Sequence, residues 1–363
     1  MRFSLRVVLV PCKDFSEETM VIVREVALED LDALWDLIGQ ANTGMTSLKI
    51  DKEQLADRIE RSHFAFKRLS ERAEGAPYVF VMQDLETGQL VGTSCIFSKT
   101  GGFEPFYAYR IVKENNHSEL LKQSHDIHSL HLTKTHNGPT EIGSLFLMPE
   151  YRGHGCGKLL SMSRFAYMAA HPKRFASQTI AEMRGFLTPD GESPFWEAIG
   201  SHFFKIDFPR ADSLSMIDKQ FIEDLMPRYP IYVDLLPAEA VAAIGSVHDQ
   251  AKPALAMLES QGFVRTDQID IFDGGPVIQC ETKSISAVNA MIPIVVSQAS
   301  GSPNWRTQPG GQLYPRAVVA TYQSPFVAIQ SDALIVDDFV SLDLAAMHSL
   351  KVGQGDKVWL MKQ

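Results

Sequence analysis

The chain is expected to fold as an α/β (α+β) protein, with a mixed sheet flanked by helices and a small β-rich C-terminal domain. Three observations predict this. Strand-like and helix-like runs alternate from residue 21 onward, and a glycine-rich turn joins a long strand to a long helix within 141–168. After Asp273-Gly274-Gly275-Pro276 the composition shifts, and the later runs are mostly short and β-prone. A length of 363 residues suits two or three domains. The expected division is an appendage at 1–19, a main α/β region at 20–276 and a terminal domain at 277–363.

Val21-Ile22-Val23-Arg24 reads as the first strand. Leu28, Leu31, Leu34, Trp35 and Ile38 follow at helical spacing, in a helix ending near Gly39–Gly44. A charged helix covers about 51–71. Tyr78–Met82 and Leu90–Phe97 then flank Glu86-Thr87-Gly88 as an antiparallel hairpin. Residues 101–136 are polar and read as irregular, until Asn137-Gly138 turns the chain into a strand at 141–148.

Beyond the glycine turn, a helix runs through Leu159–Met168 and a strand through Ser177–Gly185. Helices follow at Asp218–Met226, stopped by Pro227, at Pro237–Ile244 before Gly245, and at Pro253–Gln261 before Gly262. In the terminal domain the strands are Ala317–Thr321, Phe326–Gln330 and Leu334–Val340, with a last alternating strand ending at Leu360.

Hydrophobic residues make up 45% and charged residues 21%, which describes an ordinary globular protein. The formal net charge of −10 argues against nucleic acid or an anionic membrane as the main partner, and suits a cationic substrate. Cys12, Cys95, Cys156 and Cys280 are scattered, with no disulfide framework, so a cytoplasmic setting is expected. No run approaches transmembrane length, and Val7–Val10 is too short for a signal-peptide core.

The chemistry is carried by Arg152-Gly153-His154-Gly155-Cys156-Gly157-Lys158, after Pro149-Glu150-Tyr151 and before a helix. Such a turn leaves backbone N–H groups unpaired at a helix N-terminus, where they and the helix dipole favour a phosphate. A Walker loop is excluded because Arg152 replaces its first glycine and Leu159 its hydroxyl residue. A dinucleotide fingerprint is excluded because Leu160 occupies the third glycine position. The pattern [QR]-x-x-G-x-[GA] fits, filled by Arg152, Gly155 and Gly157. It resembles the pyrophosphate turn of GNAT-type N-acyltransferases, which bind acyl-CoA, and the element order resembles the opening of that fold.

Further segments resemble one family, the arginine N-succinyltransferases. They are Gly44-Met45-Thr46-Ser47-Leu48, Thr140–Leu147, Ala181–Gly185, Ser193–Trp196, Phe203–Phe208, Arg210-Ala211-Asp212, Leu225–Pro227, Pro230–Tyr232 and Ile269–Pro276. The resemblance implies transfer of succinyl from succinyl-CoA to the α-amino group of L-arginine, the first step of arginine catabolism by the succinyltransferase pathway. Some related enzymes use ornithine or work as hetero-oligomers, so another amine, and a homo- or hetero-oligomer, stay open. A catalytically weak acyl-CoA or arginine sensor is the remaining alternative.

The resemblance also suggests site residues. His248 matches the catalytic histidine, and the backbone of Leu145 matches the donor-contacting position. Leu147, Arg152, Gly153, Gly155, Gly157 and Lys158 complete the expected donor site. Arginine's guanidinium calls for carboxylates, with Glu182 and Asp270 favoured and Asp207, Asp212 and Asp273 also considered. Arg184 or Arg210 is expected to receive the succinyl carboxylate. The spacing of His125, His128 and His131 could put two imidazoles on one helical face, but no Cys or convincing carboxylate set completes a metal site and none is expected. Cys156 sits at a helix start, which lowers thiol pKa, yet its place in the phosphate turn argues against a nucleophilic role.

Overall fold

The strand before the glycine turn lies inside one continuous mixed sheet, and its two neighbours explain how a cleft opens beside it. The structure is a computed structural model that describes residues 20–41, 48, 50–69, 71–102, 105–215, 219–297, 305–307 and 310–362. Residues 1–19, the segment 44–47 and the expected helix start at Asp218 lie outside the described residues.

The main region begins with β1 (Val21–Glu25), α1 (Leu31–Gly39) and α2 (Lys52–Lys67). Asp51 caps α2 by accepting from Gln54 N, while Gln54 Oε1 accepts from Asp51 N. Then come β2 (Pro77–Asp84), β3 (Leu90–Phe97), β4 (Phe106–Ser118), β5 (Gln123–Thr135) and β6 (Thr140–Leu147). The turn leads into α3 (Cys156–Ala170), and β7 (Gln178–Glu182) follows. Next are α4 (Pro194–Ala198), α5 (Gly200–Phe204), α6 (Phe208–Ser215), α7 (Gln220–Leu225), β8 (Ile231–Tyr232), α8 (Ala238–Ala243) and α9 (Lys252–Ser260). The rest is β9 (Val264–Ile269), β10 (Pro276–Glu281), α10 (Ser286–Ala290), β11 (Met291–Val296), β12 (Gln312–Thr321), β13 (Val327–Val336), β14 (Phe339–Ser341), α11 (Leu344–Leu350) and β15 (Lys357–Met361).

The strand order is β12-β15-β11-β14-β13-β1-β2-β3-β6-β7-β10-β9-β4-β5-β8, with β12 also pairing β13. That extra pairing closes β11–β15 into a small barrel, joined to the main sheet where β13 pairs β1. β10 and α10 belong to the surroundings of the main sheet: β10 pairs β7, and Ile285 and Ala287 share a core with α3. The mixed α/β class and the β-rich end are thus as expected.

Two readings need correction. Residues 101–136 are not irregular, since β4 and β5 pair over thirteen residue pairs from Phe106↔Thr135 to Ser118↔Gln123. The run 334–340 is not one strand, because Asp337 adopts φ 52° and turns β13 into β14.

The helix α3 packs on one face of the sheet. Leu159, Leu160, Phe165 and Met168 bury there against Phe80, Ile142, Ala181 and Ile278. On the opposite face, Leu34 and Leu37 of α1 and Leu55 and Ile59 of α2 cover Val79, Val81, Cys95 and Phe146. A third core of aromatic residues, including Trp196, Phe204, Phe208 and Phe272, joins α4–α6 to β4, β5 and β9.

Candidate active site

β6 and β7 run parallel but pair only at Thr140↔Thr179 and Glu141↔Ile180. Beyond those pairs β7 is held by β10 and β6 by β3, so the ladder between them ends, and Glu141 and Glu182 beside that end line a cavity. β6 is irregular at this place. Ser144 has φ 50°, and the register with β3 shifts between Thr93 and Cys95. Leu145 and Leu147 follow the irregularity: Leu147 is buried, and Leu145 is partly buried against the α3 core.

The glycine turn stands at the end of β6. Arg152 Nε donates to the carbonyl of Leu147 at 3.1 Å, folding the turn back on the strand. Tyr151 donates from its hydroxyl to Asp84 Oδ2 at 2.5 Å, which ties the Pro-Glu-Tyr step to β2. Gly153 and Gly155 have φ of 85° and 87°, a region that disfavours any side chain, and Gly155 is the N-cap of α3. Gly157 and Lys158 lie in the first turn of that helix. Cys156 is buried and burial pushes its thiol pKa up, so its resting form is the thiol.

His248 lies past the end of β7. Its backbone N–H donates to the carbonyl of Arg184 at 2.9 Å, and Val247 bridges to Gly185. Its Nδ1 accepts from the N–H of Gln250 at 3.2 Å. In the neutral ring that bond leaves the proton on Nε2. Burial, then the charge of Arg184, lowers its pKa below the ordinary histidine value, while Asp249 opposes the shift. Gly245 lets α8 end at φ 69°, and its carbonyl accepts from Arg265 Nη1 at 2.6 Å.

A cavity of about 650 Å³ opens on the α2 side of the sheet. Glu141, Glu182, Asp212 and Asp270 line it, together with Arg58 and Lys219. Glu182 faces the cavity's solvent yet is surrounded by protein, as suits a group on the floor of a deep opening. Burial raises its pKa well above the ordinary value, reinforced by Glu141 and Asp270. Burial also raises Glu141 and Asp270, the latter against hydrogen bonds that Asp270 Oδ1 accepts from Phe272 N at 2.7 Å and Asp273 N at 2.8 Å. Burial lowers Arg58.

Of the expected acceptor-site residues, Glu182 and Asp270 come together in this cavity, and Asp212 joins them. Arg184 stands instead beside His248. Arg210 is exposed on α6 and does not line the cavity, and Asp207 caps it from nearby, accepting from Arg210 N at 2.9 Å. Asp273 is buried structure: Oδ2 accepts from Gly185 N at 2.7 Å and Oδ1 from Gly275 N at 2.8 Å. Sequence reasoning missed Glu141 and Arg58. The pairing Glu141↔Ile180 puts Glu141 on the same face as Glu182, a relation visible once the two strands are aligned in parallel.

The histidine reading also changes. His125, His128 and His131 lie on strand β5, where a spacing of three sends neighbours to opposite faces. Their cross-strand partners are Asn116, Lys113 and Arg110, and two of these carry positive charge. Among the described residues, no group of three or more His, Cys, Asp or Glu could hold a metal ion. No helix there is long and apolar enough to cross a membrane.

A family model described as arginine N-succinyltransferase beta subunit matches residues 21–287. The arginine N-succinyltransferase of Enterobacter sp. (strain 638) is 37% identical over 345 residues, covering 94% of this chain and 98% of that protein. The arginine N-succinyltransferase of Salmonella newport (strain SL254) is 39% identical over 345 residues, with the same coverage of each chain. Among solved structures, the arginine/ornithine succinyltransferase subunit AI of Pseudomonas aeruginosa superposes with a TM-score of 0.83. It is 30% identical and covers 95% of this chain and 99% of that one.

Proposed function

The chain belongs to the arginine N-succinyltransferase family, and from that premise we propose how its own residues move a succinyl group from succinyl-CoA to the α-amino group of L-arginine. The single observation that carries the reading is the early end of the β6–β7 ladder, with the glycine turn at the end of β6 and an acidic cavity on the α2 side. A polyanionic donor and a cationic acceptor need sites of opposite character, and the glycine turn with Arg152 and Lys158 and the carboxylate-lined cavity support that reading.

The donor's pyrophosphate sits on the N–H groups of the turn, with Arg152 bracing it and Lys158 adding charge. Its thioester enters between the strands, where backbone N–H groups near Leu145 polarise the carbonyl oxygen. The guanidinium of arginine lies among Glu141, Glu182 and Asp270. A cation there offsets the burial that raises the pKa values of these groups, and at Glu182 also the repulsion from Glu141 and Asp270. Arg58 offers a partner for a substrate carboxylate.

The amine nitrogen attacks the thioester carbon, the C–N bond forms and the C–S bond breaks, releasing CoA as thiolate. The attacking amine must shed its proton, and His248 is the acid–base group of the cleft. Its lowered pKa keeps the ring neutral near pH 7. In the observed pose Nε2–H can donate to the carbonyl oxygen or the departing sulfur. Accepting the amine's proton at Nδ1 requires the Gln250 hydrogen bond to open. A cytoplasmic setting is in keeping with scattered cysteines that form no disulfide framework.

The test is thiol release from succinyl-CoA with L-arginine, L-ornithine or L-lysine as separate acceptors, and acetyl-CoA as the control donor. Release with succinyl-CoA and arginine is expected. Release only with another amine would keep the mechanism and change the acceptor.

A further inference from the structure

The barrel touches the glycine turn through one side chain. Arg316 of β12 donates from Nη2 to the carbonyl of His154 at 2.8 Å and to Gln330 Oε1 at 3.0 Å. Its guanidinium lies so close that a Cβ on Gly155 would fall 2.5 Å from Nη2. Glycine at 155 therefore meets two demands, a left-handed φ and room for an arginine.

The backbone under Arg316 is unusual at the same point. Its φ is 53°, where a side chain is disfavoured, and it sits where the β12–β13 register shifts between Tyr314 and Ala317. Side chains hold it there: Arg316 N donates to Asp332 Oδ1 at 3.0 Å, and its carbonyl accepts from Gln330 Nε2 at 3.1 Å. Asp332 is fixed in turn by Arg306 Nε at 2.8 Å. Strain braced in this way around one exposed arginine aims a side chain, and this one is aimed at the turn. Among the described residues, Nε and Nη1 of Arg316 make no hydrogen bond.

We infer that Arg316 belongs to the donor site and takes a phosphate of succinyl-CoA, its Nη2 anchored on His154 and its Nε and Nη1 donors turned to phosphate oxygens. The inference rests on reading the turn as the acyl-CoA site. A chain of net charge −10 must gather positive charge locally to hold a polyanion, and a helix N-terminus supplies only a partial charge. The C-terminal barrel thus completes the donor site from outside the main α/β region.

Kinetics of the full chain carrying Arg316→Gln or Arg316→Lys test this, with succinyl-CoA and its 3′-dephospho form as donors. Loss of a charge-assisted phosphate contact should raise KM for succinyl-CoA roughly tenfold or more. kcat at saturating donor and KM for arginine should stay near the unaltered values, and Arg316→Lys should recover part of the loss. Equal loss with both donors assigns the contact to the pyrophosphate. Loss only with the complete donor assigns it to the 3′-phosphate. An unchanged donor KM, or equal rises in the KM for donor and arginine with a lowered Tm, would overturn the inference. If the unaltered chain transfers no succinyl group and binds no CoA, the donor reading itself falls, an outcome distinct from these.

Discussion

The N–H of His248 donates to the carbonyl of Arg184 at 2.9 Å, so the ring hangs from the continuation of β7 and not from its own loop alone. The bridge between Val247 and Gly185 makes this a short piece of sheet, and it fixes the histidine beside the end of β7. Removing the ring leaves these backbone bonds in place. His248→Ala is therefore expected to lower kcat by roughly tenfold or more while CoA affinity, measured by calorimetry, stays near the unaltered value. Full turnover in this variant would exclude the ring from the chemistry.

The acid limb of the pH–rate profile should lie below the ordinary histidine value of 6.5, since burial and Arg184 both lower the pKa of His248. Protonation at Nδ1 removes the acceptor that Gln250 N–H uses, so activity should fall as pH drops through the lowered pKa. Arg184→Met removes a positive neighbour and should move that limb upward. An acid limb unmoved by this substitution would separate it from His248.

Glu182→Gln should raise KM for arginine by roughly tenfold or more, with a much smaller effect on KM for succinyl-CoA. The raised pKa values of Glu141, Glu182 and Asp270 add a pH signature. These groups must ionise to hold a guanidinium, so KM for arginine should fall as pH rises. A KM flat across the neutral range would place the guanidinium elsewhere.

Asp273 should behave as a structural group. Each of its oxygens accepts one N–H, from Gly185 or Gly275, and an amide can match only one of them. Asp273→Asn should cost about 1–3 kcal/mol in denaturant unfolding. The carboxyl pKa is raised from 3.8 to about 8, by burial and then by Asp270. A raised folded-state pKa means that its contribution is greatest below 3.8 and is lost as pH climbs toward about 8. The unaltered chain should lose stability over that window, and the variant should lose less.

Cys156→Ser should keep near-normal turnover. Burial raises the thiol pKa, opposite to what a nucleophile at a helix start requires. A loss of activity with retained donor binding would reopen a covalent step.

Much of this arrangement can be read in the sequence, because its signals are local. Gly153, Gly155 and Gly157 mark the turn, and Gly245 and Gly262 end helices where expected. The β4–β5 hairpin escapes because much of its outer half is exposed, which removes the alternation by which strands are recognised. Glu141 looks like one stray acid until β6 is set beside β7. Arg210 shares a segment with the expected acceptor residues, but α6 leaves it exposed. Arg316 meets its partner 162 residues away, a separation that no periodicity reports.

The junction of β1 and β13 bears on how the chain reaches this state. Phe326 N donates to Glu25 Oε2 at 3.2 Å across 301 residues, and Val23 pairs with Ala328 beside it. During synthesis β1 can pair with β2 early, while its other edge waits until nearly the whole chain has emerged. Such distant pairing slows folding and leaves a strand edge open to other chains in the meantime. Chains halted before residue 327 should therefore aggregate through β1, and refolding should be slowest for the step that seats the barrel.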